Sequence, residues 1–256
     1  MLGNVIALLA AHLACGTLLI AGMMSFSHRV PTGFQRFCAS LAAIGGLMAL
    51  ALGSTDDRMS WSVATVAAVT WAIWLHRRSE TPRVLAGLCA AAGLGSIFWF
   101  GFLAAERAGI SPLASIGAAT SSMLLLGTVT VTMILGHWYL VDVHLSIAPL
   151  RQGAWWLWVA VASRWFTVGL VLAIGGWETL RIGRAADIIY STSALFFVFR
   201  ALVGLGAPLL LAGLIWQTVR IRSTQSATGL LYVALMLVLF GELVAHFLQF
   251  TTGLPL

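Results

Sequence analysis

The sequence contains no lysine, and only 9% of its 256 residues are charged. All 14 basic side chains are arginines, so no amine is available for the Schiff base of a retinal protein, and a microbial rhodopsin is excluded. A soluble domain is excluded too, because 60% of the residues are hydrophobic where about 45 to 50% is usual. The arginines are spread over loops and helix interiors, so the net charge of +6 indicates membrane topology and site chemistry, not nucleic-acid binding.

Motifs for several classes of enzyme are also absent. There is no HExxH for a metalloprotease, no GxSxG nucleophile elbow and no Walker lysine. The three cysteines stand alone in apolar segments and form no CxxC, so they predict packing residues and no iron–sulfur cluster, zinc site or disulfide relay. They are Cys15, Cys38 and Cys89.

Long apolar runs account for nearly the whole chain, whose mean hydropathy is +0.98. Because one membrane crossing needs about 20 apolar residues, we predict an all-α polytopic membrane bundle of eight helices in a single transmembrane domain, residues 1–256. The third run is short and carries the weakest signal. The predicted helices are Leu2 to Ser25, Phe34 to Gly53, Met59 to Leu75, Val84 to Ala105, Ala114 to Val141, Ala154 to Gly176, Ile189 to Trp216 and Ala227 to Phe250.

The distribution of arginines predicts an orientation. Eight arginines fall in odd-numbered loops and four in even-numbered loops. Since cytoplasmic loops carry the excess of basic residues, the odd loops are expected in the cytoplasm and both termini outside. This is the arrangement of a multi-pass protein of the bacterial inner membrane.

Two arginines lie where a membrane should not tolerate them. Arg164 is ten residues into the sixth predicted helix and Arg200 eleven into the seventh, so at about 1.5 Å per residue both reach the middle of the bilayer. An arginine at this depth costs roughly 2.5 to 3.5 kcal/mol on insertion scales, and snorkelling works only near helix ends. We therefore predict that both have partners and that they help to bind a cofactor headgroup or compensate an acid.

The acid that stands out is Glu242, with His246 one turn later. A spacing of four places both side chains on one face of the last helix, in its outer half by the orientation above. A buried carboxylate and imidazole can relay the protons released by quinol oxidation, which makes these two the candidate catalytic residues. The alternative is that Glu242 forms a structural ion pair with a buried arginine, and the two interpretations can coexist.

Histidines raise the question of haem b, whose two axial ligands must share one depth on facing helices. By helix position, His12 lies near the middle of helix one, His137 about 6 Å from the inner end of helix five, and His246 near the outer end of helix eight. No pair matches in depth on this count, so no intrinsic haem is predicted. His12 is interpreted as a hydrogen-bond donor in helix packing, and His137 stays a candidate cofactor-binding residue.

Small residues and one proline predict local packing. Pro208 should kink the seventh helix. Six glycines inside helices are expected to let backbones approach each other closely. They are Gly45, Gly46, Gly93, Gly95, Gly204 and Gly206.

The last helix contains the string Gly241-Glu242-Leu243-Val244-Ala245-His246-Phe247-Leu248. It resembles the terminal helix of the DmsC and NrfD-like membrane anchors of respiratory molybdenum and iron–sulfur enzymes. In that pattern an arginine follows the glycine-glutamate-leucine, where this chain has His246. The resemblance implies an eight-helix, quinone-reactive anchor subunit without haem.

Three functions remain open from the sequence. The first is a quinone-interacting membrane subunit, for menaquinone or ubiquinone, in a respiratory or photosynthetic complex whose iron–sulfur or haem-bearing partners carry the electrons. The second is a proton or solute transporter, in which the buried charges line a pathway, although the two halves of the chain show no inverted repeat. The third is a structural or pigment-organising membrane subunit.

Overall fold

The computed structural model describes residues 1–27, 30–77, 82–108, 111–142, 144–173 and 192–255. This part of the chain is helical, and none of it forms a β-strand. Trp177, Arg181 and Arg184, three residues of the predicted sixth helix end and sixth loop, lie outside it. The helices are α1 (Leu2–Ser27), α2 (Thr32–Leu52), α3 (Thr55–Arg77), α4 (Arg83–Ala108), α5 (Pro112–Val141), α6 (Ala148–Val171), α7 (Thr192–Arg220) and α8 (Thr224–Thr252).

Helix boundaries follow local sequence signals that a hydropathy window misses. Pro112 begins α5 and Pro149 stands in the first turn of α6, where a proline loses no hydrogen bond. As a result α6 begins at Ala148 and not at the predicted Ala154. Gly253 ends α8 in the left-handed conformation, with φ of 75°, which glycine adopts without strain.

Seven of the described helices are long and apolar enough to cross a membrane, so the protein is a multi-pass membrane protein. The helix outside this group is α3, whose first turn contains Asp56, Asp57 and Arg58. Even so, α3 packs antiparallel to α2. Near one end the Arg36 Nε donates to the Leu75 carbonyl oxygen at 2.9 Å, and near the middle a side chain at Gly46 would meet Thr65.

Sequential helices alternate in direction, and close contacts between backbones set their order. Gly16 of α1 lies directly against Gly127 of α5, where an added Cβ would come within 2.9 Å of the facing Cα. These two helices run parallel, as expected for helices one and five of an up-down bundle. Both are buried along most of their length, so α1 and α5 form the centre of the bundle.

Both termini lie at one end of the bundle, which we call the terminal face. Asn4 near the start of α1 and Phe250 near the end of α8 line the same small cavity there. The end that carries the α5–α6 and α7–α8 connections is the opposite face. The structure thus places the two termini together, as the orientation argument requires.

The seventh helix departs from α-helical geometry at its centre. Residues Arg200–Gly206 form a π-helical segment between α-helical stretches Thr192–Phe199 and Ala207–Arg220. Pro208 follows directly, and a proline cannot donate to the carbonyl four residues earlier. A widened turn therefore stands before the proline, and the kink expected at Pro208 stays a prediction.

Candidate functional site

A buried carboxylate on α8 forms the centre of the candidate site. The side chain of Glu242 is fully enclosed, and each of its oxygens accepts two hydrogen bonds. Oε1 accepts from Arg164 Nε at 3.1 Å and from Arg200 Nη2 at 3.1 Å. Oε2 accepts from Arg164 Nη2 at 2.9 Å and from Ser122 Oγ at 2.6 Å. Four donors on two oxygens leave no room for a proton on the carboxyl group, so Glu242 acts here as an anion.

Arg164 approaches from α6 in the bidentate geometry that suits a guanidinium and a carboxylate. Its Nη1 also donates to the Ala118 carbonyl oxygen of α5 at 3.0 Å and contacts Ser121 Oγ at 3.4 Å. Ser121 in turn shares a hydrogen bond of 2.8 Å with Thr167. Arg164 therefore joins three helices, α5, α6 and α8, around one charge.

Arg200 approaches from the π-helical segment of α7. Its Nη1 donates to the Gly241 carbonyl oxygen at 2.9 Å in addition to the Nη2 bond with Glu242. This reach depends on a close contact between α7 and α8: a Cβ at Gly204 would lie 2.5 Å from the Cα of Gly241. Only glycine at both positions allows the two backbones to pack this closely.

The predicted partners of the buried arginines are thus confirmed, and both belong to one ion cluster. Arg164 and Arg200 are 1% and 0% exposed, which excludes snorkelling to the lipid surface. Among the described residues, the cluster contains two guanidinium groups and one carboxylate, so its formal charge is +1. Since a buried charge is costly unless paired and hydrogen-bonded, the geometry explains how these residues remain in the interior, and the structural ion pair considered for Glu242 is present.

Two residues that were not among the predicted site residues extend this cluster. Ser122 donates its only hydrogen to Glu242, so its oxygen can accept one from His12 Nδ1, 3.1 Å away. The ring of His12 also packs against His246, with ring centroids 4.8 Å apart at an angle of 62°. Hydrogen bonds therefore connect Glu242 through Ser122 to His12, and the ring of His246 packs against that of His12.

The depth comparison of the histidines was wrong for His12 and His246. It placed His12 near the middle of the first predicted helix and His246 near the outer end of the eighth, counting residues along each predicted helix. Such a count ignores the direction of the side chains: α1 and α8 run antiparallel, and each side chain leans towards the N-terminus of its own helix, so the two rings approach each other in depth. Among the described residues, no three His, Cys, Asp or Glu side chains come together as a metal site.

A cavity of about 10 Å³ lies beside the cluster on the side of the terminal face. This is the space that one water molecule needs. Polar groups make up much of its lining, which includes His12, Ser115, Ser122, Arg164, His246 and Gln249. The cluster therefore has a small polar connection towards the end of the bundle that carries both termini.

The structure does not bring His137 to this cluster. His137 is exposed on α5, fifteen residues beyond Ser122, which is about 22 Å along the helix. Its Nδ1 is 3.1 Å from the Tyr232 Oη of α8. Of the five predicted site residues, four therefore converge and the fifth lies exposed near the opposite face.

Comparison with known proteins adds no relative: no family model, curated protein or solved structure matches this chain. The functional argument therefore depends on the geometry of the cluster.

Proposed function

We propose that this chain is a quinone-interacting integral membrane subunit of a multi-subunit electron-transfer complex, respiratory or photosynthetic. The observation that carries the proposal is the convergence of Arg164, Arg200 and Glu242 inside the bundle. Ionisable residues are expensive in a membrane and mark functional sites there. The resemblance of the last helix to the DmsC and NrfD-like anchors agrees with this proposal.

Within this proposal the residues have different roles. The two arginines hold the Glu242 carboxylate as an anion, while His246 and His12 handle protons between the cluster and the terminal face. His137, hydrogen-bonded to Tyr232 on the lipid-facing surface, is placed where a quinone that diffuses in the bilayer can reach an imidazole donor. The headgroup is that of menaquinone or ubiquinone.

Buried hydroxyl groups support a polar route along α5 between these two places. Ser121, Thr128 and Thr132 are spaced by seven and four residues, so they share one face of the helix, and all three are buried. The proton-handling cluster and the exposed histidine thus lie at two ends of one helix that carries hydroxyl groups between them.

The proposal also specifies how the chain crosses the membrane and which face lies outside. The antiparallel packing of α3 against α2 favours α3 as an eighth crossing, with its charged first turn at the membrane surface. The arginine distribution then puts the terminal face outside the bacterial inner membrane and the opposite face in the cytoplasm. Partners that carry iron–sulfur clusters or haems supply or remove the electrons.

The test uses the complex isolated from its native membrane through a tag on this chain. Visible spectra identify its redox groups, and quinone turnover is compared for Arg200→Leu and for Arg220→Leu, a matched control on the exposed end of the same helix. We expect Arg200→Leu to lose at least about tenfold in turnover, which is ~1.4 kcal/mol, and the control to lose little. Unchanged turnover in assembled Arg200→Leu complex would refute the proposal.

Because Arg200→Leu can also prevent folding, a surface variant completes the test. His137→Leu removes an exposed side chain, so the complex should assemble normally. We expect a higher KM for quinone with little change in kcat at saturation, since headgroup binding is weakened. An unaltered KM removes His137 from the proposal.

A proton channel that acts without partners is the second candidate. The polar chain from Glu242 to the terminal face favours it, and a cavity of about 10 Å³ at the cluster fits water better than a larger solute. Proton flux in liposomes that contain the purified chain alone would support this second function over the first.

A further inference from the structure

The two buried histidines have hydrogen-bonding capacity that no described residue uses. His12 and His246 are 2% and 1% exposed. Among the described residues, His12 Nε2 has no direct hydrogen-bond partner, and neither ring nitrogen of His246 has one with normal geometry, although the Gln249 side chain interacts with that ring. Buried polar groups that are left unsatisfied destabilise a fold, so a partner is expected.

The hydrogen bonds of Ser122 determine which nitrogen of His12 carries its hydrogen. The contact of 2.6 Å between Ser122 Oγ and Glu242 Oε2 needs the serine hydrogen, because the carboxylate has none. The serine oxygen then accepts, so Nδ1 of His12 must be the protonated nitrogen. His12 Nε2 is therefore a lone-pair acceptor.

The cavity beside these rings has the size and the lining for one small ligand that both donates and accepts. At about 10 Å³ it holds one water molecule, and a water needs two to four polar partners. A water can donate to His12 Nε2 and accept from an N–H of His246, with Ser115 and Gln249 also on the wall. A cation fits poorly beside a cluster of net positive charge, and an anion fits poorly against the Nε2 lone pair.

We propose that His12 and His246 bind one water molecule between them, and that this chain of three groups exchanges protons between His12, at the edge of the Glu242 cluster, and the terminal face. The binding site itself is independent of the proposed function, while the purpose of the exchange rests on it. His12, which the sequence indicated only as a hydrogen-bond donor in helix packing, is thereby a further functional residue.

The transfer moves one proton and no electrons. An O–H bond of the water breaks as the N–H bond at His12 Nε2 forms. The water recovers a proton from an N–H of His246. The other ring nitrogen of His246 takes one from solvent that enters past Gln249 and Pro255, which line the same cavity. The reverse sequence releases the proton.

The charged groups around the site set how long the proton stays. Glu242 reaches His12 through Ser122 and attracts an imidazolium there, whereas Arg164 and Arg200 repel it. Because the two guanidinium groups outnumber the carboxylate, a proton that reaches His12 returns to the water and is not stored on the ring.

The test is solid-state NMR of the full chain in lipid bilayers, labelled with ¹⁵N in histidine and tryptophan. We expect His12 with a protonated Nδ1 and a hydrogen-bonded Nε2, and magnetisation transfer from water to both rings. The imidazole hydrogens should exchange with bulk water at least about tenfold faster than the indole N–H of Trp61, which is as deeply buried at 2% exposure but is not in the chain. Exchange as slow as that of Trp61, or no transfer from water, would overturn the proposal.

Two variants distinguish loss of the bound water from loss of the folded structure. In His12→Asn the amide nitrogen takes the position of Nδ1 and keeps the bond to Ser122, but the Nε2 acceptor is lost. We expect the cluster to remain intact and the water signal to disappear. Hydrogen exchange at His246 should then be independent of the cluster. His137→Asn, the same change at an exposed histidine, should leave both signals unaltered.

His246→Phe tests the outer half of the chain. It should slow hydrogen exchange at His12 by about tenfold or more, because exchange then requires local opening. If exchange at His12 is unaffected, the proposed route is wrong. These measurements use no quinone, so their failure leaves the proposed function standing, and the turnover assay can fail while the water site is found.

Discussion

Replacing Glu242 by glutamine is the sharpest test of the ion cluster. The substitution keeps the size of the side chain but removes the charge that Arg164 and Arg200 share. Three of the four hydrogen bonds to the carboxylate come from guanidinium groups. An amide cannot accept all of them, because one of its two positions becomes a donor.

The expected loss of stability is large. Removing one partner of a buried ion pair costs about 3–5 kcal/mol because the other charge is left uncompensated. Glu242→Gln leaves two buried guanidinium groups without their shared counter-charge. The free energy of unfolding should therefore fall by at least this much. The equilibrium constant for unfolding then changes by roughly 10²- to 10⁴-fold.

The assay is reversible unfolding of the purified chain in lipid bicelles. Glu106→Gln is the matched control, because Glu106 lies exposed near the end of α4 and its loss should stay within about 0.5 kcal/mol. If Glu242→Gln costs no more than Glu106→Gln, the inference that the buried arginines depend on this carboxylate is refuted.

Double-mutant cycles divide the effect between the two arginines. Arg164 makes two hydrogen bonds to the carboxylate and Arg200 makes one, so the coupling of Arg164 to Glu242 should be the larger. Equal coupling energies would contradict the bidentate geometry.

Further predictions concern packing, the cysteines and topology. Gly241→Ala places a Cβ 2.4 Å from the Cα of Gly204, so unfolding should become about 1–3 kcal/mol easier; Gly229→Ala, which meets nothing within 4 Å on the same helix, should not destabilise the protein. The three native cysteines are buried, so a maleimide should label them only after unfolding, and labelling of native protein would contradict the packing. In intact cells, a membrane-impermeant maleimide should label Thr251→Cys and not Arg222→Cys, because these residues lie at opposite faces of the bundle. Labelling of Arg222→Cys and not of Thr251→Cys would refute the orientation.

Much of the cluster could be predicted from single residues. The depth of Arg164 and Arg200 in apolar runs requires a counter-charge, and Glu242 was the acidic residue clearly within such a run. The energetic cost of a charge in the membrane therefore predicts the ion cluster from the sequence, without knowledge of helix packing. Seven of the eight predicted crossings also have the length and composition that a crossing needs.

Other features depend on how helices meet, which the sequence does not state. The pairing of His12 with His246 depends on how α1 and α8 pack and on the direction in which each side chain extends, and counting from helix ends cannot supply it. The same limit applies to glycines: Gly204 contacts α8 as expected, whereas Gly95 has nothing within 4 Å of an added Cβ. Gly16 and Gly127, which let α1 and α5 touch, look like any other glycine in an apolar run.

The π-helical segment of α7 determines the direction in which the Arg200 side chain extends from the helix. A wide turn accommodates one residue more than an α-helical turn, and each residue of an α-helix corresponds to a rotation of about 100°. Deleting one residue between Ala201 and Gly206 would let the segment close into a regular helix. The stretch before it would then swivel against the stretch that begins at Pro208, and the guanidinium would face away from α8 with every nearby side chain unchanged.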